Sequence, residues 1–289
     1  MGGALQGRRA LVTAAADGLG RAYAIALAEA GADVAGCDRD PTISALADEL
    51  RPHGGRHLLR TVDVTDTEAV RRFVDDAAAA FDGLDIVINN AGIVGTSDPV
   101  RDPLDRALDV FDAVIAVNLR AAFVVGRAAM PHLVRRGGDL VNITTDHVHT
   151  CGYPEVVDHT DASACPWADS QRAPTGGPML DVYDASKWGV HGLTQSWARA
   201  LAPHGVRVNS FGMGATDTPM YRGFMGGRPL PAAVMAPAAV ARVMVELIAE
   251  GPEGRNGDSV QLWMGHPTVL PPVSLIGTLA PKVTAPVAT

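Results

Sequence analysis

The chain has 289 residues, 47% of them hydrophobic, 19% charged and 5% aromatic, with a formal net charge of −8. That length and apolar content suffice for a sizeable core within one large domain. The acidic balance, with Lys and Arg scattered rather than clustered, excludes an electrostatic footprint for nucleic acid or an anionic membrane and favours small-molecule chemistry.

Cys37, Cys151 and Cys165 form an odd set without metal-finger spacing, the usage of a reduced intracellular protein. The opening MGGALQGRRALV lacks the regions of a secretory leader, Gln6 breaks the myristoylation pattern, and no apolar run reaches membrane-spanning length. A cytoplasmic location is the expectation.

Arg9 to Thr13 reads as a short buried strand, followed by the turn AAADGLG and an amphipathic helix over about Arg21 to Ala30. Strand, glycine-bearing turn and helix present backbone N–H groups and a helix N-terminus to a phosphate. Gly31 stands where a C-terminal cap is expected, and ADVAGCD then reads as a second strand ending in Asp38. An acidic residue about 20 positions past the glycine loop accepts hydrogen bonds from an adenosine ribose and repels a 2′-phosphate, which argues for NAD over NADP. Residues 41–51 are helical in pattern and His57 to Val62 strand-like. Asp63-Val64-Thr65-Asp66 supplies turn and N-cap residues for a helix running to about Phe81. Leu84 to Ile88 is a nearly continuous apolar run, the mark of a strand covered on both faces, and it breaks at Asn89-Asn90-Ala91-Gly92.

Further on, Tyr183 and Lys187 stand four positions apart ahead of the apolar-rich run Trp188 to Leu201, so on a helix they share one face. A cation beside a phenol favours the phenolate and equips it for acid/base work. Val206 to Phe211 reads as a sixth strand, about Ala236 to Glu250 as a helix, and about Ser259 to Met264 as a last strand.

The ordered set TAAADGLG (13–20), Asp38, DVTD (63–66), NNAG (89–92), Asn118 in VNLRAAF, VNITT (141–145), YDASK (183–187) and VNSFGMGATDTPM (208–220) resembles the short-chain dehydrogenase/reductase family over residues 7–265. The resemblance implies an α/β fold, a single doubly wound Rossmann-type domain (1–265) with a seven-stranded parallel sheet flanked by helices. It also implies a nicotinamide cofactor and a homotetramer or homodimer. Alternating strand and helix signals point to the same parallel sheet.

Carried over residue by residue, the resemblance makes Tyr183 the general acid/base and Lys187 the group that lowers its pKa while holding the nicotinamide ribose. Asn118 becomes the holder of a water linking the lysine to solvent, and Thr145 the hydroxyl that meets the substrate oxygen in place of the usual serine. Besides Tyr183 and Lys187, the expected cofactor contacts are Thr13, Ala15, Asp17, Gly18, Leu19, Gly20, Asp38, Arg39, Asp63, Val64, Asn90, Ala91, Gly92, Gly214, Thr216 and Thr218. Asp146, His147 and Met213 are the expected substrate contacts.

Three departures stand out. Ala14 replaces the first glycine of the phosphate loop, a methyl that is tolerable if the residue keeps a negative φ. Met213 stands where proline is usual, and the last strand lacks an acidic-Gly-Gly ending. Residues 146–180 read as an inserted loop beside the active site, residues 216–231 as a mobile substrate loop and the proline-bearing 266–289 as a tail packing across a subunit partner. Asp146, His147, His149, Cys151 and His159 could be imagined around a divalent ion, but their spacing matches no closed structural site and no metal is expected. The expected activity is NAD-dependent interconversion of a secondary alcohol and a ketone, on a neutral or weakly polar substrate. An NAD-retaining epimerase or dehydratase, and a nicotinamide sensor without chemistry, stand as alternatives.

Overall fold

The chain is described from a computed structural model covering residues 3–145, 179–232 and 234–262. Seven strands, β1 (Arg9–Thr13), β2 (Asp33–Asp38), β3 (His57–Thr61), β4 (Ile86–Asn89), β5 (Gly138–Ile143), β6 (Val206–Met213) and β7 (Ser259–Leu262), form one parallel sheet in the order β3-β2-β1-β4-β5-β6-β7. The order reverses between β1 and β4, where Ala10, Leu11 and Val12 lie opposite Ile86, Val87 and Ile88. A reversal of this kind opens a crevice at the C-terminal ends of the strands.

Both faces of the sheet are covered at its centre, which is why β1 and β4 read as apolar runs rather than alternating ones, whereas the edge strand β3 is largely exposed. Ala10, Val12, Ile86 and Ile88 point into one core with α1 (Gly18–Glu29) and a late helix, Pro237–Ala249; Leu11 and Val87 point into the other, with α3 (Thr67–Phe81), α5 (Ala121–Leu133) and α6 (Asp181–Leu201). The short α2 (Leu46–Leu50) is flanked by 3-10 turns at Pro41–Ala45 and Arg51–His53, so the helix read over 41–51 is broken by prolines near each end. Asp66 caps α3 as expected, accepting from the N–H groups of Glu68 and Ala69 at 3.0 Å each.

Several boundaries move. The first helix starts at Gly18 rather than Arg21, because Asp17 is still extended while Gly18, at φ +53°, already turns the chain. The fourth strand begins at Ile86, not Leu84, and runs on through Asn89. Residues 216–231 are not a loop throughout. They contain α7 (Pro219–Met225), whose first turn is pre-set by Pro219 and capped by Thr218 Oγ1, accepting from the Tyr221 N–H at 3.2 Å. The last helix, α8, is Pro237–Ala249, and the described part of the last strand ends at Leu262.

At the N-terminal edge of the sheet, charges are mutually spent. Asp139 pairs with Arg8 at 2.9 Å and with the buried Arg207, while Arg9 pairs with Asp85 at 2.7 Å. At the C-terminal edge the side chains instead join one strand end to the next, as Asn90 does to Thr13.

Candidate active site

The site begins where β1 and β4 end. Thr13 Oγ1 accepts from the N–H groups of Asn90 and Ala91, both at 3.0 Å, and the Asn90 amide donates back to the carbonyls of Thr13 (3.0 Å) and Ala14 (3.2 Å). Two motifs separated in sequence are thereby stitched into one floor. Gly20 lies so close that a Cβ there would sit 1.9 Å from the Ala14 carbonyl oxygen and 2.6 Å from Asn90 Nδ2, so only glycine fits. The N-terminus of α1 carries no side-chain cap and no acid in its first turn, leaving its N–H groups and the positive end of the helix dipole for an anion. A methyl added to Gly18 would meet Thr218 at 3.5 Å, so the segment before α7 roofs this N-terminus.

Ala14 departs from expectation. It adopts φ +54°, the left-handed region, and the condition under which its methyl was tolerable is not met. An L-residue there carries a steric penalty of roughly 1–2 kcal/mol that glycine avoids, partly offset by glycine's larger entropy when unfolded. Ala14→Gly is accordingly expected to stabilise the fold by about 0.5–1 kcal/mol, read as a rise in Tm of roughly 2 °C in calorimetry.

Asp38, at the end of β2, is held by both carboxylate oxygens: Oδ2 accepts from the Ala16 N–H and Oδ1 from the Asp40 N–H, each at 3.0 Å. Asp17 lies in the same field. Partial burial, and then Asp38 and Asp40, push its carboxyl above the usual range against the pull of Arg21. Arg39 is exposed. Asp63 is drawn into its own turn, where the Thr65 N–H and hydroxyl hold its carboxyl below the usual range, and Val64 beside it is buried. Cys37 is fully buried and its thiol pushed up to about 12 by burial, which removes it from nucleophilic chemistry.

On the other side of the crevice, Lys187 is buried on α6, donates from Nζ to the Ile143 carbonyl at 3.0 Å and lies 5.7 Å from the centroid of the Tyr183 ring. Burial pushes the Lys187 ammonium down to about 8. A methyl on Gly92 would sit 3.3 Å from that Nζ, so the NNAG turn passes directly over it. Asn118 lies in a π-helical segment, Ile115–Arg120, which joins α4 (Leu104–Val114) to α5 and widens the helix at this residue. Its side chain is fully engaged, accepting from the Ile93 N–H at 2.8 Å and donating at 3.0 Å to both the Ile93 carbonyl and Ser186 Oγ. Ser186 Oγ in turn donates to the Tyr183 carbonyl at 2.6 Å.

Thr145 is buried just beyond β5, after Thr144, whose N–H extends the pairing to the Phe211 carbonyl at 2.9 Å. Met213 packs into the core rather than presenting a surface. Gly214 donates to the Leu262 carbonyl at 2.8 Å, Thr216 Oγ1 donates to the Gly214 carbonyl at 3.0 Å, and Thr218 spends its hydroxyl on α7. The sites expected at Asp146 and His147, the conjectural metal donors and the tail 266–289 lie outside the described residues, as does the 146–180 insertion up to residue 178. Among the described residues no group of three His, Cys, Asp or Glu could hold a metal ion, and no helix is long and apolar enough to cross a membrane. Sequence reasoning missed Ser97, Asp181 and Ser186; the last lies within YDASK and could have been found as the partner one turn from the tyrosine.

An uncapped helix N-terminus, a carboxylate at the end of β2 and a buried lysine beside a phenol are ranged along the switch point of a doubly wound sheet, the place where such sheets bind dinucleotides. The short chain dehydrogenase family model matches residues 8–155 and 168–225, and the chain belongs to the short-chain dehydrogenase/reductase family, whose members bind a nicotinamide cofactor. It is 35% identical over 240 residues to the cis-4-hydroxycyclohexanecarboxylate dehydrogenase of Sinomonas cyclohexanicum, covering 83% of each chain. It is 34% identical over 228 residues to the short chain dehydrogenase/reductase dpchG of Colletotrichum higginsianum, covering 77% of this chain and 75% of the relative. Among solved structures, a short chain dehydrogenase from Burkholderia cenocepacia in complex with NADP aligns with a TM-score of 0.71 at 33% identity, covering 91% of this chain and 99% of that one.

Proposed function

We propose that the chain is an NAD-dependent oxidoreductase that interconverts a secondary alcohol and a ketone, with Tyr183 as general acid/base. The observation that carries this reading is the buried Lys187 ammonium 5.7 Å from the Tyr183 ring. A cation held there stabilises the phenolate, and among the described residues no carboxylate neutralises Lys187, whose ammonium donates to the Ile143 backbone carbonyl. In oxidation, Tyr183 Oη takes the hydroxyl proton of the alcohol while the Thr145 hydroxyl orients the substrate oxygen. In reduction, the same oxygen returns the proton. The bound nicotinamide supplies the hydride acceptor or donor. Thr13, Gly18, Leu19 and Gly20 would receive the pyrophosphate, Asp38 the adenosine ribose, and Lys187 the nicotinamide ribose. Asn118 keeps the wall behind Lys187 rigid.

The preference for NAD rests on Asp38 together with Asp17 and Asp40: besides partial burial, Asp38 and Asp40 raise the Asp17 carboxyl, and a cluster of carboxylates this close opposes a 2′-phosphate. Arg39 is the opposing consideration, and the Burkholderia cenocepacia relative was solved with NADP. A screen of secondary alcohols with NAD and NADP in parallel tests both halves of the proposal. NAD is expected to be preferred, and Asp38→Asn to shift the NADP/NAD ratio of kcat/KM by roughly tenfold or more towards NADP. An unchanged ratio would remove Asp38 from the discrimination.

A further inference from the structure

The start of α6 lacks the usual means of holding a helix N-terminus. Leu180 stands at the N-cap and offers no side-chain acceptor, yet Tyr183 lies in the first turn that follows. Within the turn Asp181 Oδ1 accepts from the Val182 N–H at 2.8 Å, and Asp181 is itself held from outside. Ser97, 3% exposed in the segment after the NNAG turn, donates from Oγ to Asp181, 2.9 Å from each carboxylate oxygen. Its backbone forms an antiparallel bridge with Met179, donating to the Met179 carbonyl at 3.2 Å and accepting from the Met179 N–H at 2.6 Å.

The same segment grips the far end of that turn. Ile93 is bonded through both backbone groups to Asn118, which donates to Ser186, which donates to the Tyr183 carbonyl. Residues 93–97 thus act on α6 at positions 181 and 186, one on each side of Tyr183. We propose that Ser97 and Asp181 are positioning residues: a clamp that sets the attitude of the first turn of α6 and through it the aim of the Tyr183 phenol. Neither residue touches the reacting atoms in this assignment. The inference rests on the reading of Tyr183 as the acid/base given above.

Small errors of aim are costly in proton transfer, where a misplacement of about 1 Å can cost on the order of 100-fold. Ser97→Ala removes the hydroxyl and keeps the Asp181 charge. It is expected to lower kcat by roughly 10-fold or more, leave the KM for NAD and the Tm near wild type, and keep the limbs of the kcat pH profile in place while its plateau drops. Asp181→Ala also removes the acceptor of the Val182 N–H and is expected to lose at least as much, and the double variant to match Asp181→Ala to within about twofold, since Ser97 acts through Asp181. Wild-type kcat in Ser97→Ala, a loss confined to the KM for NAD, or losses that multiply in the double variant would each overturn the clamp. Tyr183→Phe run alongside separates the two claims: turnover surviving in that variant removes the acid/base reading, whereas an inactive Tyr183→Phe with an unimpaired Ser97→Ala removes the clamp alone.

Discussion

Tyr183→Phe is expected to lower kcat by roughly 10²–10⁴-fold while the protein still folds and binds NAD. The substitution removes one oxygen and keeps the ring, so the packing beside Lys187, 5.7 Å from the ring centroid, is retained. The hydrogen bond from Ser186 Oγ to the Tyr183 backbone carbonyl is indifferent to the side chain, and the first turn of α6 should not move. What is lost, under the proposed mechanism, is the group that accepts or returns the substrate proton. Steady-state turnover with the best alcohol of the screen, set beside NAD affinity by calorimetry, makes the measurement; near-normal turnover with intact NAD binding would sink the mechanism.

Lys187→Met is expected to abolish most turnover and to stabilise the fold. The ammonium is buried, donating to the Ile143 carbonyl at 3.0 Å, and burial brings it from 10.5 down to about 8. That displacement corresponds to about 3 kcal/mol of disfavoured charge. The lost hydrogen bond to Ile143 returns about 1 kcal/mol, so methionine, apolar and similar in volume, should gain about 2 kcal/mol near neutral pH. The pH dependence carries the sign. Below about 8 both folded and unfolded chains hold the proton, and the full penalty stands. Between about 8 and 10.5 the unfolded chain keeps a proton that the folded one has shed, so this group makes wild-type stability rise with pH across that window. The methionine variant lacks that rise, and its advantage in denaturant titrations without cofactor should shrink between pH 8 and 10.5. In the same variant kcat should fall by roughly 100-fold or more, because the phenolate loses its cation. A variant that was both less stable and still active would contradict both halves.

A lysine that can be picked out by its spacing from Tyr183 illustrates how much of this molecule can be read locally. The strands were legible because a parallel sheet covered on both faces leaves nearly unbroken apolar runs, as in Ala10-Leu11-Val12 and Ile86-Val87-Ile88. Tyr183 and Lys187 were legible because helical spacing is a local property, and Asp66 because an N-cap is satisfied within its own turn. Helix ends were less so: the first helix begins three residues earlier than its apolar pattern, because the start depends on the backbone of Asp17 and Gly18 rather than on burial.

By itself, then, the sequence determined the order of elements, the parallel sheet, the glycine-bearing turn after β1 and the shared helix face of Tyr183 and Lys187, since each is written in periodicity, turn chemistry or fixed spacing, while the family resemblance supplied the doubly wound order. The tertiary structure decided what depends on groups far apart in the chain. It put Ala14 into the left-handed region, where Asn90 from the turn after β4 holds its carbonyl. It folded part of the stretch read as a loop into α7 over Gly18, and it committed Asn118 to Ile93 and Ser186. It also joined Ser97 to Asp181 across a separation of 84 residues. Such contacts leave no local signature, because a serine and an aspartate in two unremarkable segments become partners only when the sheet brings both segments to its C-terminal edge.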